Sequence, residues 1–167
     1  MIKNNNLFLY DVHEHQKHKL EIINLIKQIP KNPYSHISHT DYNLPSTFYR
    51  AWHEYFIKNI YFHWKDKFSD YVNSGIYLHN AWFQWYEKND LHDWHTHQAT
   101  HFTNIYYLSL PNNDIKTKIK DFEGEKNFDI CEGQILTIPA YWKHKSPPNK
   151  FDEPKIIISF NTDIKDN

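Results

Sequence analysis

Nine consecutive residues, "DWHTHQATH" from Asp93 to His101, hold three imidazoles and one carboxylate. His95 and His97 are two apart. On a strand, residues i and i+2 project to the same face, so both rings can converge on one ion. Imidazole is a good ligand for iron, zinc, copper or nickel. A third ligand must come from elsewhere in the chain. His144, in "IPAYWKH" (138–144), is the best placed, because Pro139 and the strand before it bring it in on a defined path. Asp93 and His101 are the reserves. The chain carries 13 histidines, so an H-x-H also arises by chance. "HEH" at 13–15 has the same spacing; it opens a charged helix and reads as solvated surface. The pair at 95–97 is distinguished by its surroundings.

Those surroundings follow a simple order. Residues 14–29 place Leu20, Ile22, Ile23, Ile26 and Ile29 at about helical spacing, and Pro30 ends the run. Residues 31–45, with Pro33, Asn43 and Pro45, read as a loop. Ser46 or Thr47 caps a second helix running to about Tyr71, with Trp52, Tyr55, Phe56, Ile60 and Trp64 along it. Asn73, Ser74 and Gly75 break the pattern. Five β-favouring runs follow, at 76–87, 102–110, 114–122, 134–139 and 154–161. Turns at Asn112–Asn113, Gly124, Gly133 and Pro147–Pro148 separate them. The expectation is one mainly β domain over 1–167. Its helical part, 1–74, packs on one face of an antiparallel array spanning 75–167.

"WHTHQATHFTNIYYL" (94–108) resembles the metal-binding segment of a family of small iron(II)/2-oxoglutarate-dependent oxygenases. The family pattern there is W-H-x-H-P-x-S-x-x-S-G-x-Y-Y. Trp94, His95, His97, Tyr106 and Tyr107 match it, while Gln98, Thr100, Thr103 and Asn104 depart from it. "IPAYWKHKSPP" (138–148) resembles the family's distal histidine segment, and "KIIISFN" (155–161) its closing R-I-S-I-x-F-N. The resemblance covers about residues 76–161. It implies a double-stranded β-helix, or jelly roll, with Fe(II) held by His95, His97 and His144. It also implies 2-oxoglutarate and dioxygen as co-substrates, and hydroxylation of a substrate with release of succinate and CO2. The usual middle ligand of such sites is a carboxylate; here it is His97. The far carboxylate of 2-oxoglutarate needs a buried cation. The resemblance assigns that place to Lys155, where the family has arginine, and Ile157 stands where it has serine. Tyr107 and Gln84 are the further candidates for binding that carboxylate. Trp82, Trp85, Trp94 and Trp142 flank the segments in sequence, and Trp82, Trp94 and Trp142 are candidates to line a substrate pocket.

Composition narrows the alternatives. A net charge of −1 gives no basic field, which weighs against nucleic acid. Arg50 is the sole arginine, so no arginine cluster recognises phosphate. Three glycines, Gly75, Gly124 and Gly133, cannot form a dinucleotide fingerprint. Cys131 has no partner for a disulfide and reads as a buried structural thiol. No run is apolar enough for a signal peptide or a membrane span, so a cytoplasmic setting is expected. An exposed edge strand could join two copies in a homodimer. Two other readings stay open. In a metal cupin without 2-oxoglutarate, His101 stands where the usual glutamate would be, and Gly133, Pro139 and His144 match the distal motif, with Tyr141 in place of a glycine. A non-catalytic β-helix scaffold is the other.

Overall fold

The computed structural model describes residues 7–31 and 37–165. The first six residues, and Pro33 in the expected loop, lie outside them. Two antiparallel sheets face each other. The larger has the order β1-β8-β5-β10-β3-β2 and the smaller β4-β9-β6-β7. In chain order the strands of the larger sheet are β1 (Phe8–Asp11), β2 (His39–Thr40), β3 (Ile76–Tyr86), β5 (Phe102–Ser109), β8 (Gln134–Pro139) and β10 (Lys155–Ile164). Those of the smaller are β4 (His92–His95), β6 (Lys118–Asp121), β7 (Gly124–Lys126) and β9 (Lys143–Ser146). This is the expected double-stranded β-helix. The described helices precede the long strands, with α1 at His15–Ile26, α2 at Ala51–Phe56 and α3 at Phe62–Val72.

β10 shows why the layers form. Its β-branched run suits a pleated surface buried on both sides. Ile156, Ile158 and Phe160 face the helices and join Ile22, Ile26, Trp52, Phe56, Trp64 and Phe68 in one core. Ile157 faces the other way, between the sheets, with Ile105, Tyr107, Leu136, Ile138, Ile119 and Trp142. Aromatic edges fill the helical layer: Trp64 meets Phe160 at 4.9 Å and 90°.

Several local expectations are corrected. Leu20 is 67% exposed; the buried face of α1 runs through His18, Ile22 and Ile26, and Leu20 sits on the opposite side of a 3.6-residue period. Neither Ser46 nor Thr47 caps the second helix. It starts after Arg50, whose guanidinium takes the carbonyls of Asp41, Leu44, Pro45 and Phe48 instead. α2 runs into α3 through a π-helical turn at Ile57–Tyr61. "HEH" is not all solvated. Glu14 adopts a left-handed conformation, and the His15 ring turns inward to share a 2.8 Å hydrogen bond with the Tyr106 hydroxyl. Cys131 is exposed rather than buried. β1, β4 and β9 are strands that patterning does not single out, and 114–122 divides into a 3-10 turn (Asn113–Ile115) and β6. No helix of the described residues is long and apolar enough to cross a membrane.

One buried ion pair ties the helical layer to the wall of the central cavity. Asp41 has no exposed surface. It accepts from Arg50 Nε at 2.9 Å, Trp52 Nε1 at 2.9 Å and the Phe83 amide at 3.0 Å. Asp41→Ala strands three donors, and breaking a buried pair this way costs about 3–5 kcal/mol. Denaturant unfolding of that variant should show a loss of this size; a change within error of zero would show that the carboxylate is dispensable.

Candidate metal centre

His95 ends β4, and His144 lies directly opposite it on β9. His97 is not on a strand. β4 stops at His95, and the chain turns through Ala99 in a left-handed conformation, with the His97 amide donating to the Ala140 carbonyl at 2.9 Å. The two rings nonetheless lie on one side of the chain, two residues apart, with their planes 24° from parallel. Ring centroids are 4.3 Å apart for His95–His144, 4.9 Å for His97–His144 and 5.4 Å for His95–His97. One ring nitrogen of each lies within 4.8 Å of the others.

The other nitrogen of each ring is already engaged. Nδ1 of His95 donates to the Asp93 carbonyl at 2.7 Å, and Nδ1 of His144 to the Trp142 carbonyl at 3.1 Å. Nδ1 of His97 donates to Asn161 Oδ1 at 2.6 Å, with Thr103 Oγ1 at 3.0 Å. These bonds fix the tautomer and leave Nε2 as the lone-pair donor on each ring, which is the arrangement metal-ligating histidines require. The two reserves do other work. The Asp93 carboxylate accepts from the Trp94 amide at 2.7 Å, and His101 is bound to Asp163. Among the described residues, the group able to hold a metal is His95, His97 and His144 alone.

Burial, then the neighbouring imidazoles, lowers the His144 pKa to about 3. His92, stacked on His95 with centroids 3.9 Å apart, falls to about 4 for the same reasons. His95 and His97 are also lowered, chiefly by burial. All four rings are thus neutral, ready to donate lone pairs, at neutral pH. A depressed histidine pKa carries a stability cost on the acid side. Below about 6.5 the unfolded chain takes up protons that the folded chain refuses. The metal-free protein should hold its stability above that pH and lose it progressively towards pH 4, at up to about 1.4 kcal/mol per pH unit for each ring. Urea unfolding across that range checks it; a flat profile would mean that the rings are not buried neutral.

The cluster opens on a cavity of about 610 Å³ that reaches from His95, His97 and His144 to Tyr86, Thr117 and Ser146. Gln84 and Trp82 line it. The Gln84 amide lies between His92 Nδ1 at 3.3 Å and the Tyr86 hydroxyl at 2.8 Å. Lys155 sits behind the wall, with no exposed surface. Its Nζ donates to Ser146 Oγ and the Ile115 carbonyl, both at 2.8 Å, and lies 5.4 Å from the centre of the Tyr86 ring. Among the described residues no carboxylate pairs with it, and burial lowers its pKa to about 7. The Tyr107 hydroxyl is likewise buried and lacks a good hydrogen bond. Burial holds the phenol protonated, only partly offset by Thr117 beside it.

Two tryptophans expected in the pocket are elsewhere. Trp94 lies under the Lys145 ammonium, 4.7 Å from its ring centre, and Trp142 is packed in the core between the sheets. Both belong to or follow short strands whose facing is not set by hydrophobic alternation. Trp85 packs against the helical core. Sequence reasoning passed over His92 and gave Asn161 no role. His92 shares a face with His95 because the β4–β9 register shifts between them, and a spacing of three gives no strand signal for that.

No family model and no curated protein matches the sequence. The fold does match solved structures. An oxidoreductase of the 2OG-Fe(II) oxygenase family from Burkholderia pseudomallei superposes with a TM-score of 0.69 at 11% identity, over 95% of this chain and 84% of that one. The viral collagen prolyl hydroxylase of Paramecium Bursaria Chlorella virus-1, in a 2OG complex, gives 0.67 at 12% identity over 98% of each chain. HygX from Streptomyces hygroscopicus, with nickel and 2-oxoglutarate bound, gives 0.68 at 9% identity over 95% and 82%. The chain has the fold of these proteins.

Proposed function

We propose that the protein is an Fe(II)- and 2-oxoglutarate-dependent oxygenase that hydroxylates its substrate with release of succinate and CO2. The observation that carries this reading is Lys155. A fully buried ammonium with only neutral acceptors is costly, and it stands one hydroxyl away from a cavity that also holds three convergent imidazoles. A dianion with one carboxylate at each end answers both features. Three neutral imidazoles leave a divalent ion with its full charge, which a chelating carboxylate lowers. Lys155 then meets the other carboxylate, with Ser146 on the cavity wall as a hydroxyl donor and the buried Tyr107 hydroxyl as a further one.

Dioxygen is the oxidant of such a reaction; a bound metal would supply the place where it is activated, and 2-oxoglutarate two of the four electrons it takes up, the substrate C–H giving the other two. The chain's own part is positional. Asn161 and the carbonyls of Asp93 and Trp142 hold the three rings. Ile105, Ile157 and Trp82 give the cavity its apolar lining and exclude water. A metal cupin without 2-oxoglutarate would use the same histidines, and the replacement of the family's serine by Ile157 favours it. Such a site has no use for a buried lysine beside the cavity, and this favours the oxygenase. Anaerobic calorimetry tests the choice. 2-Oxoglutarate should bind the Fe(II)-loaded chain at least about tenfold more tightly than the metal-free chain, as expected when one carboxylate chelates the ion. Equal binding with and without metal, or none, would contradict it.

A further inference from the structure

The cavity contains one more imidazole, and a buried carboxylate stands behind it. His79 lines the cavity on the β3 side, and its Nδ1 lies 3.2 Å from Asp163 Oδ2. Asp163 is 5% exposed and also accepts from the His101 amide at 2.8 Å. Burial alone would raise its pKa, but the hydrogen bonds from His101, His79 and Thr100 outweigh this and hold it below the ordinary value. With Nδ1–H given to this carboxylate, Nε2 is the ring nitrogen left for a partner in the cavity.

A β-bulge aims that ring. Asn80 pairs with Asn161, but the next pair is Leu78 with Thr162, so His79 is the extra residue of β3. Without the bulge His79 would point away from the face that carries Asn80, Trp82, Gln84 and Tyr86. With it, Leu78 turns to the helical core and His79 joins Asn80 at the cavity. Bulges re-aim side chains in this way beside functional sites. Asn80 adds a lone pair, since its Oδ1 is buried with no hydrogen-bond partner among the described residues. Such an atom costs free energy until a donor reaches it. The cavity lining also holds the polar or aromatic side chains of Asn43, Thr96, Gln98, Tyr42 and Trp82, and one ammonium, that of Lys145, which is held over the Trp94 ring. Among the described residues no carboxylate lines the cavity.

The geometry points to His79 and Asn80 as a substrate-binding pair, two hydrogen-bond acceptors that take the hydroxyl or N–H donors of an uncharged substrate, with Asp163 as the residue that positions His79. This rests on the oxygenase reading for the identity of the cavity. An anionic group would meet lone pairs with a carboxylate behind them, so the pair selects against it.

The test uses the full chain loaded with Zn(II) and 2-oxoglutarate, which binds without turning over. Four probes are titrated: N-acetylserine amide and methyl glucoside, and their anionic counterparts N-acetylserine and methyl glucuronide. Nitrogen-15 spectra of the labelled histidines follow His79. A neutral probe should bind and move the His79 Nε2 resonance. His79→Ala and Asn80→Ala should each weaken it about tenfold, the effect of one lost hydrogen bond. 2-Oxoglutarate affinity in both variants should stay within about twofold, which also shows that they fold. The pair is overturned if no neutral probe binds, if only the anionic ones do, or if both variants bind as the parent does. If 2-oxoglutarate itself fails to bind the metal-loaded parent, the oxygenase reading falls first, and this inference falls with its premise.

Discussion

Lys155→Met will weaken 2-oxoglutarate binding at least about 100-fold, leave the metal in place and leave the fold about as stable as the parent. The side chain is fully buried, so methionine of similar length fills its channel. Folding the parent at neutral pH carries the cost of an ammonium whose pKa falls from 10.5 to about 7. Each unit of that fall is about 1.4 kcal/mol. The variant removes this cost and leaves two acceptors, Ser146 Oγ and the Ile115 carbonyl, without a donor, so the two changes oppose each other. The loss of affinity should be large, at least about 100-fold, because a buried carboxylate would be left without its cation. The parent should show a matching pH signature. Binding a carboxylate raises the Lys155 pKa, so the complex holds a proton that the free protein gives up above about pH 7. Affinity should therefore be level below pH 7 and fall about tenfold per pH unit above it, with proton uptake visible in calorimetry. A Lys155→Met protein that binds 2-oxoglutarate normally, or a parent affinity independent of pH from 7 to 9, would remove Lys155 from the site.

His144→Ala should erase metal binding. The ring is 5% exposed and is one of three donors, and loss of a residue that merely orients a ligand already costs about 10–100-fold in affinity. Loss of the ligand should exceed that. The cleanest reading is the stabilisation conferred by metal, which for an excess of about 1,000 times the dissociation constant is about 4 kcal/mol. The parent should melt at a clearly higher temperature with Fe(II) under anaerobic conditions, and His144→Ala should show no such rise. Asp93→Ala and His101→Ala should keep it, because their side chains are committed to the Trp94 amide and to Asp163. A metal-induced shift that survives in His144→Ala and vanishes in Asp93→Ala would reassign the third ligand.

What could be read from residue order, and what could not, divides along physical lines. The helices-then-strands order and the three histidines were legible, since β-branched and aromatic runs between turn residues mark strands, and His144 follows one of them. How further rings join them was not. His79 and His92 reach the cavity because of a β-bulge in β3 and a register shift in β4. Both interrupt the two-residue period on which facing is inferred, and neither leaves a glycine or proline as a marker. Lys155 was singled out by the resemblance alone, and its burial depends on Tyr86, Ile115 and Ser146, which only the tertiary fold brings together. Trp94 and Trp142 show the opposite failure, since nearness in sequence to the histidines did not put them in the pocket.

The measurement that bears most directly on the central claim is anaerobic titration of the Fe(II)-loaded protein with 2-oxoglutarate, followed by visible absorption. Chelation to Fe(II) produces a weak charge-transfer band. The account predicts that this band appears and saturates in the parent, is absent in His144→Ala, and in Lys155→Met needs far more 2-oxoglutarate. Iron that binds without giving a band at saturating 2-oxoglutarate would contradict the account and return the three histidines to a cupin of other chemistry.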